Sequence, residues 1–155
     1  MPNSDVRDAL ERHLQAIFDF DLEHYHASTV PELTLYEWYI TPHRIDGIPF
    51  HDFLMREANR AGAVPLTGAG LFREGRDDAS GPDKPRVRFD LANYAEQRYG
   101  DTAITSYTLL VSTSASGGVS VVSYNESRVM VKFAEGWKIV HVHKSPSYRS
   151  PLAPA

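Results

Sequence analysis

The chain contains no cysteine. That excludes disulfides, thiolate zinc sites and cysteine nucleophiles together. No apolar run is long enough to span a bilayer. The opening residues, MPNSDVRDAL, lack the charged and apolar regions of a secretory signal. Basic residues do not gather along one helix or strand, and the formal net charge is −4, so nucleic acid is a poor partner. No internal repeat is visible. These absences point to a cytoplasmic protein that engages neither nucleic acid nor membrane. What is present is the composition of an ordinary folded protein, and 155 residues suffice to bury a core as one domain, 1–155.

Val6, Leu10, Leu14, Ile17 and Phe18 recur at steps of three and four, which predicts a helix. Ser4 or Asn3 caps it, with Asp5 in the first turn. FDFDLEHYHAST restarts a short helix with Asp21 or Asp19 as its cap, Leu22 and Tyr25 on one face and Pro31 as its stop. ELTLYEWYI alternates and reads as a strand, and TPHRIDGIP as a loop. PFHDFLMREANRAG reads as a helix burying Phe50, Phe53 and Leu54, with Gly62 closing its end. Residues 63–84 are glycine-rich and read as an inserted surface loop. RVRFDLANYAEQRY, TAITSYTLLVSTS, VSVVSYNESRVMVKF and WKIVHVHKS then form a meander, joined at GD, SGG and AEG. The proline-containing segment 145–155 reads as an extended tail. The predicted fold is α+β: a strongly bent antiparallel sheet wrapped as a cone around N-terminal helices, with a pocket between its concave face and the first helix.

NESRVMVKFAEGWKIVHVHKSPS resembles the C-terminal signature of the association (hub) domain of calcium/calmodulin-dependent protein kinase II. That signature runs Glu-(Thr/Ser)-Arg-Val, an aromatic or apolar residue, a turn, Gly-x-Trp or similar, then His-x-His before a basic residue, Ser and Pro. VPELTLYEW, DGIPFHDF and NYAEQRYGDTAITSY fit its earlier parts. The resemblance is strongest from Asn93 to Pro146 and fails across 63–84. The family lies in the nuclear transport factor 2-like superfamily, whose fold is the cone reached above. The resemblance implies a stand-alone hub-like domain that forms a homodimer or a larger ring. No kinase domain is present, so no phosphoryl transfer is implied.

AEG reads as a three-residue loop that pairs Phe133 with Trp137 and sets Arg128 beside Lys144. One face then carries Arg128, Met130, Val140, Val142 and Lys144. The other carries Val129, Val131, Phe133, Trp137, Ile139, His141 and His143. By resemblance, Arg128 and Lys144 line a basic pocket, and Tyr25 and His51 match pocket-facing positions, with Tyr107 close by. A further arginine of the family falls at Leu109 here, so the pocket is less basic. A small carboxylate is the implied ligand. Each residue also has a plain alternative: Arg128 paired with Glu126, Lys144 solvated, His51 and Tyr25 packed and hydrogen-bonded. Phe133, Trp137, Ile139, His141 and His143 share a convex face that a second copy would cover. His141 and His143 lack a third ligand at a diagnostic spacing, so no metal is expected, and no cofactor is implied.

Two functions follow. One is an assembly and ligand-binding module without chemistry of its own. The other is a small isomerase or dehydratase, using Tyr25, Tyr107 or His51 for proton transfer and Asp46 or Asp52 as carboxylate. A carboxylate deep in the cone beside His51 or Tyr25, with a raised pKa, would favour the enzyme.

Overall fold

A computed structural model describes residues 2–60 and 86–147. The expected insertion at 63–84 lies outside these residues, as does the tail beyond Ser147. Helix α1 spans Asp5–Phe18, and Ser4 caps it by accepting a hydrogen bond from the Arg7 amide. It buries Val6, Leu10, Leu14, Ala16 and Ile17, as its periodicity dictates, and also His13. Helix α2, Leu22–Ala27, is capped by Asp21 and buries Tyr25.

Six strands form one sheet in the order β2-β1-β6-β5-β4-β3. They are β1 Thr29–Glu37, β2 Ile45–Asp46, β3 Arg86–Tyr99, β4 Thr102–Ala115, β5 Gly118–Phe133 and β6 Gly136–Pro146. Helix α3, Ile48–Arg60, intervenes between β2 and β3. The four long strands form the expected meander. Against expectation, β1 pairs parallel to β6, and Ile45–Asp46 forms a short strand in what reads as loop. Pro31 does not end a helix: it lies inside β1, where pairing to β6 is interrupted between Thr29 and Thr34 and no ladder donor is needed. β6 runs through Pro146, so Ser145 and Pro146 belong to the sheet and not to a tail.

The core sits between the helices and the inner sheet face. Leu33 and Leu35 of β1, Leu109 and Val111 of β4, Met130 of β5, and Trp137, Ile139 and Val142 of β6 meet α1 there. Two features of sheet geometry aim these side chains. Asn93, with φ 53°, stands in a break of the β3–β4 ladder between Ala92 and Ala95. On β6, Met130 pairs with Ile139 but Val129 pairs with His141, so Val140 is an extra, unpaired residue. Such bulges bend a strand and reverse the facing of everything beyond them.

Two face assignments are therefore corrected. The β5–β6 turn has two residues, Ala134 and Glu135, because Phe133 pairs with Gly136. That turn and the bulge put Trp137 and Ile139 on the inner face, at 9% and 0% exposure, leaving His141 and His143 outside. Trp137 donates its indole N–H to Asp5 across 3.0 Å, tying β6 to the start of α1. On α3 the buried face is His51, Met55 and Ala58, while Phe50 and Phe53 stand exposed. Apolarity alone picks the wrong face there, because His51 has buried polar partners that fix the rotation of the helix.

Candidate functional site

The inner sheet face carries a buried polar cluster. Inward alternation on β1 runs Leu33, Leu35, Glu37, and on β6 it ends with Val142 and Lys144. Tyr36 pairs with His143 and Glu37 with Lys144, so carboxylate and ammonium meet directly, and the Lys144 Nζ donates to Glu37 Oε1. From α3, His51 sets its Nε2 3.4 Å from the same oxygen. Its Nδ1 lies 2.6 Å from the Tyr25 hydroxyl of α2. Burial, reinforced by the nearby Glu37 charge, pushes the Tyr25 phenol up, so it keeps its proton. His51 thus bridges Tyr25 through Nδ1 and Glu37 through Nε2.

A second group adjoins. Arg128 Nη1 lies 2.8 Å from Glu126 Oε2 and 2.5 Å from the Tyr107 hydroxyl, which donates to the same carboxylate oxygen at 2.8 Å. Glu126 and Arg128, two apart on β5, share the inner face, as alternation requires. Both are fully buried. Burial drives the Tyr107 phenol well up. Burial opposes the Arg128 charge, but Tyr107 and Glu126 reverse that and hold the guanidinium above its ordinary value. Arg128 Nε and Glu126 Oε1 have no hydrogen-bond partner among the described residues.

Burial would raise the Glu37 carboxyl, but Lys144 and His51 outweigh it and hold Glu37 well below the ordinary carboxylate range. His13 of α1 stacks near Tyr25, with ring centres 5.4 Å apart, and bonds Ser28 through Nδ1 at 2.8 Å. Burial first, then the Arg128 charge, keeps it neutral. The structure thus brings Tyr25, His51, Tyr107, Arg128 and Lys144 together inside the cone. It leaves Asp46 exposed beside Arg44, and Asp52 bonded to His26 on the surface of the helices. Glu37 and His13 complete the cluster without standing out as site residues in the sequence. The signal for Glu37 is a carboxylate in phase with Leu33 and Leu35; for His13 it is the spacing of three from Leu10 and of four to Ile17. Among the described residues no three His, Asp or Glu side chains are grouped as a metal needs.

The outer sheet face differs in chemistry. Its central cross-strand pairs on β4 and β5 are Ile104–Val129, Ser106–Ser127, Thr108–Asn125, Leu110–Ser123 and Ser112–Val121. None is charged. His141 and His143 continue this face on β6, and Thr34 and Tyr36 on β1. A concavity of about 530 Å3 opens here, with Ser106, Ser127, His141 and His143 among its walls. Charges stand around it: Arg86, Arg88 and Asp90 on β3, Lys138 on β6, and the Arg44–Asp46 pair at β2. Phe133, at the hairpin end of β5, is 41% exposed.

Helices cupped by a bent, unclosed sheet define a cone of the nuclear transport factor 2-like class. A protein of that class from Cytophaga hutchinsonii matches the fold with a TM-score of 0.63 at 15% identity, covering 95% of this chain and 100% of its own. Within that class, the sequence model of the calcium/calmodulin dependent protein kinase II association domain matches residues 3–67 and 76–148. The chain belongs to that family. It is similar to the S. rosetta hub of that kinase, at 25% identity and a TM-score of 0.69 over 95% of this chain and 100% of that one. It is also similar to a hub homology domain from C. reinhardtii, at 26% identity and 0.73 over 92% and 96%. No curated protein matches the chain. No helix among the described residues is long and apolar enough to cross a membrane.

Proposed function

We propose that the chain is a self-assembling domain whose copies meet over the outer face of β4, β5 and β6. The observation that carries this reading is the charge-free centre of that face inside a charged rim. Strands facing water ordinarily alternate core residues with charged ones, and loss of charge at the centre of a patch marks a contact surface. Hydroxyl, amide and imidazole groups both donate and accept, so the face is complementary to its own copy across a two-fold axis. Membership of the association-domain family supports the same reading. The test is the mass of the full chain in solution. Light scattering at micromolar concentration should show an oligomer. Ser127→Lys, which places a charge at the centre of the face, should shift it to monomer while the helical signal in circular dichroism stays. A monomeric unmodified protein overturns the proposal.

A second reading adds a small carboxylate bound in the cone, favoured by the unpartnered Arg128 Nε. Glu126 and Glu37 already match the two cations, so such a ligand gains little net charge attraction and must be held by the free guanidinium N–H. Small carboxylic acids should then raise the melting temperature with the logarithm of their concentration, and Arg128→Met should abolish that response. A flat response in the unmodified protein removes this reading. An isomerase gains no support from Glu37: a carboxylate held this far down by Lys144 is a weak proton acceptor.

A further inference from the structure

We infer that the outer face is a proton-sensitive contact, in which His141 and His143 permit assembly only while their imidazoles are neutral. The inference rests on the assembly reading above and adds its regulation. The two rings lie two residues apart on β6 and so project from one face. The His141 Nδ1 is hydrogen-bonded to Thr34 Oγ1 at 2.8 Å, and the His143 ring stands 5.2 Å from the Tyr36 ring. Their surroundings are neutral on the strands beside them: Thr34 and Tyr36 on β1, Asn125, Ser127 and Val129 on β5. Arg44 and Asp46 stand at β2, where Asp46 pairs with Thr34, and they bind each other across 2.6 Å; Glu32 lies two residues before Thr34 on β1. On β6 itself the outward charged group is Lys138, which is positive, while Lys144 faces the core. Of the carboxylates nearby, Asp46 is held by Arg44 and Glu126 by Arg128 and Tyr107, Glu32 stands exposed on β1, and among the described residues none is hydrogen-bonded to either ring.

Burial already depresses the His141 pKa in a single copy, with the His143 charge adding to it. Covering the face with a second copy removes more water, and two-fold symmetry doubles every charge introduced. The sign is then fixed. Separated copies bind protons more readily than assembled ones. Assembly is at full strength above the ordinary histidine value of about 6.5 and weakens as pH falls through and below it.

The experiment follows the mass of the full chain by sedimentation at pH of about 8 and about 5.5, for the unmodified protein, the double variant His141→Gln/His143→Gln, and His143→Lys. At the higher pH the unmodified protein and the glutamine variant should be assembled and His143→Lys dissociated. At the lower pH the unmodified protein should dissociate, its dissociation constant rising about tenfold or more, since one unit of pKa depression at one site is a factor of ten. The glutamine variant should stay assembled. A monomer at the higher pH overturns the assembly reading and this inference with it. An assembly that persists at both, or a glutamine variant that dissociates with acid like the unmodified protein, overturns the inference alone. If acid unfolds the chain, the lysine variant decides: assembly of His143→Lys at the higher pH overturns the inference.

Discussion

Glu37 is fully buried, and it is charged because Lys144 and His51 converge on one of its oxygens. Removing Lys144 leaves that charge without its main partner. Lys144→Met should therefore destabilise the fold by about 3–5 kcal/mol in urea denaturation. The double variant Glu37→Gln/Lys144→Met should lose less than the two single changes added together, as expected of a coupled pair. The pair also sets a pH dependence. Folding lowers the Glu37 pKa, so below its ordinary value of 4.5 the unfolded chain binds a proton that the folded chain resists. The stabilisation is whole above that value and is lost as pH falls below it. Urea titrations at about pH 6 and pH 3.5 should show this acid sensitivity in the unmodified protein and a smaller one in the double variant. Equal acid losses in both would detach Glu37 from the effect. Arg128 and Lys144 stand out in the sequence as charges inside alternating apolar runs. Their carboxylate partners are harder to see, since Glu126 is adjacent in the pattern but Glu37 lies on a strand far away in sequence. Only the parallel pairing of β1 to β6 brings Glu37 to Lys144.

At the scale of elements, the strands and helices were legible because their periods are strong: four and three along α1, two along β3 to β6. What the period cannot show is an extra residue. Val140 is such a residue, and no composition signal marks it. A simple alternation from the turn groups Trp137 and Ile139 with His141 and His143. The bulge separates the two pairs, sending the first to the core and the second to the outer face. The consequence is measurable. If Trp137 lay on the contact face, Trp137→Lys would yield a folded monomer. As a core residue bonded to Asp5, its replacement should instead unfold the cone, at about 3–5 kcal/mol, or roughly 10 °C in melting temperature for a domain of this size. A well-folded Trp137→Lys protein, by near-ultraviolet circular dichroism, would count against the inner placement. The same reasoning covers α3, where His51 and not the phenylalanines sets the buried face. A helix turns toward its buried hydrogen bonds when these reach groups that would otherwise be unsatisfied.

At the scale of the whole molecule, the charge distribution separates two ways in which copies could hold together. The cations inside the cone are spent on Glu37 and Glu126. The outer face is neutral at its centre, and its charges stand at the rim, where water screens them. A contact of this kind draws its strength from covered surface and from hydroxyl and amide hydrogen bonds. Rim charges change the rate of encounter more than the strength of the contact. Raising sodium chloride from about 0.05 to 0.5 M shortens the screening length severalfold, yet at a pH of about 8 the dissociation constant should move by less than about threefold, read by sedimentation across a dilution series. An assembly joined through Arg86, Arg88 or Lys138 and carboxylates of the next copy would instead fall apart over that range. Salt-induced dissociation would therefore move the contact from the centre of the sheet face to its charged margin, even with the oligomer itself established.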